Sequence, residues 1–267
     1  MIKAVKKIVL SLVSVLGISS LIWTVFLLHP NLSYANKTQF DNITIYHNQE
    51  LEEGTEGIVK NAMKIIRRSN IYDENLKIQL CLNDDKIYPN LYPFAGGTAY
   101  AFWNKAVMYA SKPSFKHNAA EFKWEINNYE LRKYNLTTLL AHEFMHNVQH
   151  HFDSRYYNTS TLGSLNWKLE GHAEYIAREF KNDGLLKSKI ALYLSEENKD
   201  HVGVPVFNLE DGTIQNLSYF KYSLVTQYLM EIKEMNFDQI CELTLSFDQL
   251  YSEMIEWSEG ETIDDRG

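Results

Sequence analysis

An α+β domain behind a membrane-spanning helix is the fold class that the sequence predicts. Three observations point to it. An uncharged apolar run fills residues 8–28, strand-like segments gather before residue 110, and helical periodicity dominates after residue 135. Strands grouped ahead of helices are the pattern of a sheet with helices segregated to one side.

The apolar run follows Lys3, Lys6 and Lys7 and contains 21 residues. About 20 apolar residues cross a bilayer, whereas a cleavable signal has an apolar core of about 7–15. Length therefore favours an uncleaved anchor. Ser33-x-Ala35 keeps open a secreted form cut near Ala35. The lysines face the cytoplasm and the rest of the chain lies beyond it. The expected division is an anchor or signal with a short linker at 1–35, a folded domain at 36–257, and an acidic disordered tail at 258–267.

Within the domain, residues 31–40 read as a polar linker and residues 42–46 as a strand. Residues 50–69 read as a helix, with Ile58, Ala62, Ile65 and Ile66 on one face. Residues 76–82 alternate as a strand does, and 98–103 with 105–109 form two more around Asn104. Residues 89–97 make a loop. Residues 113–134 read as irregular, with a short helix around Trp124. Helices are expected at 136–150, 166–181 (stopped by Asn182-Asp183-Gly184), 185–197, 217–234, 237–245 and 247–257, with a polar loop at 152–165.

The chain has 267 residues, 45% hydrophobic, which suits one globular domain with a sizeable core. Its formal charge of −8 is spread out, and no basic stripe suggests nucleic-acid binding. Cys81 and Cys241 fit either two buried thiols or one extracytoplasmic disulfide.

The chemistry centres on Leu139-Leu140-Ala141-His142-Glu143-Phe144-Met145-His146-Asn147. Residues four apart on a helix share a face, so His142 and His146 can reach one metal ion. Glu143 stands beside them, where a carboxylate can act as general base on a water. Leu136, Leu140, Phe144 and Val148 give this helix an apolar stripe, and Asn135 sits where an N-cap belongs. A catalytic zinc needs a third protein ligand and an open position. The segment Trp167-Lys168-Leu169-Glu170-Gly171-His172-Ala173-Glu174-Tyr175 supplies one in Glu170. Glu174, one turn on, can accept the other ring N–H of a ligating histidine. His150 reads as an exposed histidine beyond reach of the ion. His172 faces another way and is either structural or substrate-facing.

Together, His142-Glu143-x-x-His146 and Trp167-x-x-Glu170-Gly171-x-Ala173-x-Tyr175 resemble the gluzincin clan of metallopeptidases. The second motif is similar to the Trp-Leu-x-Glu-Gly-Phe-Ala segment of aminopeptidase N-like enzymes, and its Glu-x-x-x-Glu to the Glu-x-x-x-Asp of thermolysin. The metzincin pattern would need Gly and His where this chain has Gln149 and Phe152. Tyr219-Phe220-Lys221-Tyr222 resembles the Tyr-x-Lys-Gly segment of aminopeptidase N-like enzymes, whose tyrosine stabilises the tetrahedral intermediate. That role maps onto Tyr219, with Tyr222, which replaces the glycine, in reserve. Gly97-Thr98-Ala99-Tyr100-Ala101 lacks the acid that holds a free amine in those aminopeptidases.

The resemblance implies a zincin-like catalytic domain: a small N-terminal mixed sheet, a metal-binding helix pair and a helical C-terminal lobe. It also implies one Zn²⁺ held by His142, His146 and Glu170, with Glu143 and Tyr219 as catalytic groups and a peptide or protein as substrate. Three other readings use the same residues: a catalytically silent zincin-fold binding module, a membrane-anchored interaction protein with no metal, and a zinc hydrolase acting on a non-peptide bond.

Overall fold

The computed structural model describes residues 2–29, 32–82, 99–108, 112–123, 131–155, 166–178, 186–199, 205–209 and 212–260. The chain is mixed α/β, and it starts with α1 (Ile2–Leu28). Within α1, Val5–Phe26 is 22 residues long, apolar enough to cross a membrane, and buried against nothing in the protein.

A five-stranded sheet follows, built from β1 (Asn36–Phe40), β2 (Ile43–His47), β3 (Ile78–Cys81), β4 (Ala99–Phe102) and β5 (Lys105–Met108). Its order is β1-β2-β3-β5-β4. The β1–β2 and β4–β5 pairs are antiparallel, while β2–β3 and β3–β5 are parallel, so the sheet is mixed. The expected polar linker at 31–40 is corrected by β1. As the outermost strand it faces solvent along most of its length, and so carries the polar residues of a protected edge.

Helix α2 (Thr55–Ile66) is shorter than the 50–69 expected. Gly54 sits at φ 88°, a left-handed conformation that keeps the helix from extending backwards. Its buried face, Ile58, Val59, Ala62, Met63, Ile65 and Ile66, packs into one core with the sheet residues Ile43, Ile45, Ile78 and Leu80.

Residues 113–134, read as irregular, contain instead an antiparallel sheet of β6 (Lys112–Ser114), β7 (Ala119–Lys123) and β8 (Leu131–Asn135). Alanine, lysine and glutamate are weak strand formers, so pairing between neighbours decides these strands. Trp124, the 89–97 loop and the Asn182-Asp183-Gly184 stop lie outside the described residues.

The helical half comprises α3 (Leu136–Phe152), α4 (Asn166–Ala177), α5 (Leu186–Glu197), α6 (Leu217–Gln227), α7 (Phe237–Glu242) and α8 (Phe247–Gly260). A two-stranded hairpin of β9 (Val206–Asn208) and β10 (Ile214–Asn216) precedes α6. The single helix expected over 217–234 changes at Tyr228–Ile232 into one π-helical turn. Ser258, Glu259 and Gly260, expected in the disordered tail, complete α8, and residues 261–267 lie outside the described residues.

A second core joins these helices through Trp167, Leu186, Ile190, Leu217, Leu224, Tyr228 and Met254. Helix α4 belongs to both cores. Leu169, Ala173 and Ala177 pack with the sheet side and Trp167 with the helical side. On α4, a Cβ at Gly171 would lie 2.5 Å from Thr226 Oγ1 and 2.6 Å from the Tyr222 carbonyl oxygen, both on α6. Only glycine permits that approach. Gly171→Ala should therefore destabilise the protein by about 1–3 kcal/mol through overpacking, despite alanine's better helix propensity. Urea midpoints of the two proteins measure it; an unchanged or higher midpoint in the variant would refute the close packing.

Candidate metal centre

Helix α3 is placed from both ends. Asn135 caps it, its side-chain oxygen accepting from Thr138 N at 3.1 Å. Asn118 Oδ1 takes the neighbouring Thr137 N at 2.9 Å. Further along, Asn147 Nδ2 donates to the carbonyls of Trp103 (2.9 Å) and Lys105 (3.0 Å), which ties the helix to the β4–β5 hairpin. Packing of α4 against α3 then carries Glu170 to the two histidines.

The three expected ligands converge. Glu170 Oε2 lies 3.2 Å from His142 Nε2 and 3.3 Å from His146 Nε2, and the two nitrogens are 3.1 Å apart. One ligand atom from each residue falls within 4.8 Å of the others. Protons can be assigned from the partners. His142 Nδ1 is 3.0 Å from Glu174 Oε2, an acceptor, so Nδ1 carries the hydrogen. His146 Nδ1 is 2.9 Å from Gln149 Oε1. That amide's orientation is set by its nitrogen, which donates to the Leu169 carbonyl at 2.9 Å. His146 therefore also carries its hydrogen on Nδ1. Both Nε2 lone pairs point inward at a carboxylate oxygen, and such a cluster requires a positive charge at its centre.

With protons alone, that charge falls on the imidazoles. Burial pulls the His142 imidazole down, but Glu170 and Glu174 outweigh burial and push it up to about 10. Glu170 raises His146 against its burial as well. Burial raises the two carboxylates and their cationic neighbours overcome it. Glu170 is held well below the usual range by His146 and His142, and Glu174 falls to about 2 beside Arg178 and His142. Two imidazole nitrogens and one carboxylate oxygen also form the donor set that suits Zn²⁺ with a position left over.

Glu143 is buried next to the cluster, and that burial raises its pKa against the pull of His142 and His146. The Tyr219 ring stacks on His142 with centroids 5.6 Å apart and planes 14° from parallel. It keeps one edge open to solvent, and the charge on Glu170 together with burial keeps its phenol protonated. Tyr222 points elsewhere, its ring edge-on to Phe247 at 5.1 Å in the C-terminal core. Of the two tyrosines, the structure brings Tyr219 alone to the cluster of His142, His146 and Glu170.

His172 is buried and stacks on Phe237 at 4.1 Å. Its Nδ1 accepts from Gln149 Nε2 at 3.2 Å, and burial lowers its pKa to about 3. It is a neutral packing group rather than a ligand or a substrate contact. Cys81 and Cys241 are both thiols, the first buried and the second half-buried.

Sequence reasoning used Gln149 only as a departure from another pattern and missed its work. Its position three residues after His146, on the same helix face, was the available signal. Arg178 and Gln215 were missed as well. Both hold Glu174 Oε1, at 2.5 and 2.8 Å, so the carboxylate that orients His142 is itself oriented. Compared with known protein families and with characterised proteins, the chain matches none.

Near neutral pH the metal-free cluster is protonated, because Glu170 and Glu174 raise His142 and Glu170 raises His146, so an entering zinc ion must displace that proton charge. Zinc binding near neutral pH should thus release at least one proton and tighten as pH rises. Calorimetry in two buffers of different ionisation enthalpy measures the release; identical heats in both would contradict it. Gln149→Met should weaken zinc about 10–100-fold without changing a one-to-one stoichiometry.

Proposed function

We propose that the chain is a zinc-dependent peptidase with a zincin-like catalytic domain, held outside the cytoplasm by α1. The observation that carries this reading is the convergence of His142, His146 and Glu170, with both imidazole protons committed outward. A bound Zn²⁺ would supply Lewis acidity and lower the pKa of a water to about 7.

The remaining work falls to the chain's own residues. Glu143 is ready to accept a proton as a water attacks a carbonyl, and to return it to the leaving amine. Its burial raises its proton affinity toward the range useful for both steps. Tyr219, still a phenol, can donate to an oxygen that gains negative charge. Glu174, fixed by Arg178 and Gln215, keeps His142 in the tautomer that presents Nε2 inward. Strand β4 ends the sheet and packs against α3, where an extended peptide can pair with its main chain. The lysines ahead of the apolar segment support an orientation with residues 36 onward outside.

One observation favours a second reading. Protonated imidazole beside Glu170, with Arg178 on Glu174, balances the two carboxylates without any metal, as a buried structural cluster would. Metal analysis of the purified chain separates the two, because the structural cluster holds no stoichiometric zinc.

Glu143→Gln should retain zinc and lose about 10²–10⁴ in turnover, the range of general acid–base catalysis. Tyr219→Phe should lower kcat by about 10²–10³ with little change in KM, as for loss of one oxyanion donor. Both are read with a proteome-derived peptide library, with and without chelator. Parent-like cleavage by the Gln variant would remove Glu143 from the mechanism.

A further inference from the structure

His172 lies on α4 two residues past Glu170, fully buried and stacked on Phe237 of α7 with ring centroids 4.1 Å apart. Its two nitrogens have different surroundings. Nδ1 meets Gln149 Nε2 at 3.2 Å, and Nε2 has no hydrogen-bond partner among the described residues. An amide nitrogen donates and does not accept, so Nδ1 is the acceptor and the ring hydrogen is on Nε2. A buried donor without a partner costs stability, and an apolar side chain would fill the space without that cost. What histidine offers at this position, and a leucine or phenylalanine does not, is an acceptor for Gln149.

Gln149 stands between this ring and a candidate ligand. Its Oε1 accepts from His146 Nδ1 at 2.9 Å. Its Nε2 carries two hydrogens and meets two acceptors, the Leu169 carbonyl at 2.9 Å and His172 Nδ1 at 3.2 Å. Turned over, the amide would set its oxygen against a carbonyl oxygen and a nitrogen lone pair. It would also offer N–H to His146 Nδ1. The hydrogen of that imidazole would then move to Nε2, the atom that faces His142 and Glu170, and no lone pair would be left there for a metal. With both acceptors in place the turned amide has two repulsive contacts. With the Leu169 carbonyl alone it has one, and the choice of tautomer on His146 is correspondingly weaker.

We propose that His172 is a positioning residue for the candidate metal site: its Nδ1 lone pair holds the Gln149 amide, and the amide holds His146 with Nε2 free to bind. The inference rests on reading His142, His146 and Glu170 as metal ligands, and it does not need peptidase activity. The contacts run from Phe237 to His172, Gln149 and His146, so α7 backs a ligand carried by α3.

The test uses the detergent-solubilised full chain with His172→Leu, which removes the acceptor, and His172→Asn, whose Oδ1 stands where Nδ1 was. Zinc affinity is read by competition with a chelating indicator. His172→Leu should bind zinc about tenfold more weakly, and His172→Asn should stay within about threefold of the parent. Adding His172→Leu to Gln149→Met should weaken zinc no further, because the histidine acts through the amide. Proton NMR of the metal-free chain gives a readout that needs no zinc. The Nδ1–H of His146 should be protected from solvent exchange in the parent and in His172→Asn, and should exchange about tenfold faster or more in His172→Leu. A histidine with a packing role alone would shift the thermal midpoint and leave both readouts where they are. Thermal unfolding confirms that the variants fold. Unchanged exchange in His172→Leu overturns the proposal whether or not zinc binds, and so does an additive loss of affinity in the double variant. A parent that takes up no zinc while exchange responds as stated removes the metal reading and leaves the positioning of His146 standing.

Discussion

Two imidazole nitrogens and a carboxylate oxygen face one another at 3.1–3.3 Å, and the surrounding structure is arranged to keep them there. Lone pairs held that close repel unless positive charge sits among them. The protein gives neither ring a free choice of tautomer. Glu174 takes the outer proton of His142, and Gln149 takes that of His146. Each of these partners is pinned in turn, Glu174 by Arg178 and Gln215, Gln149 by the Leu169 carbonyl. The preference for a cation is therefore built two layers deep, and the outer layer spans α3, α4 and β10.

Much of this was legible in the sequence, and the parts that were not share a cause. Helix α3 announced its cap at Asn135, its apolar stripe and its pair of histidines within one local stretch. The step from that stretch to Glu170 needed only a ligand count. Gln149 was silent because its role depends on Leu169 and His172, which reach it from another helix. Tyr219 and Tyr222 are three apart on one helix, and only the position of Phe247 decides which of them turns away. Strand β1 was hidden by the polar composition that suits an exposed edge, and β7 by alanines that pair because their neighbours do. What the sequence withheld was long-range: pairings and hydrogen bonds whose second partner lies tens of residues away.

Two groups of side chains, the paired histidines and the Arg178–Gln215 pair, meet at a single carboxylate. Glu174 offers one oxygen to His142 and the other to Arg178 and Gln215. Burial would ordinarily discharge such a group, yet it stays ionised because cations or amides flank it on both sides. Its charge is thus shared property of two neighbourhoods with different chemistry.

Helix α4 has a structural role that extends past its ligand. Its residues are built into both hydrophobic cores, and Gly171 presses its backbone side against α6. The sheet half and the helical half consequently meet along the same helix that carries Glu170. An ion gripped by α3 and α4 would act as a rivet through that seam, and its loss would loosen both halves together rather than one pocket alone.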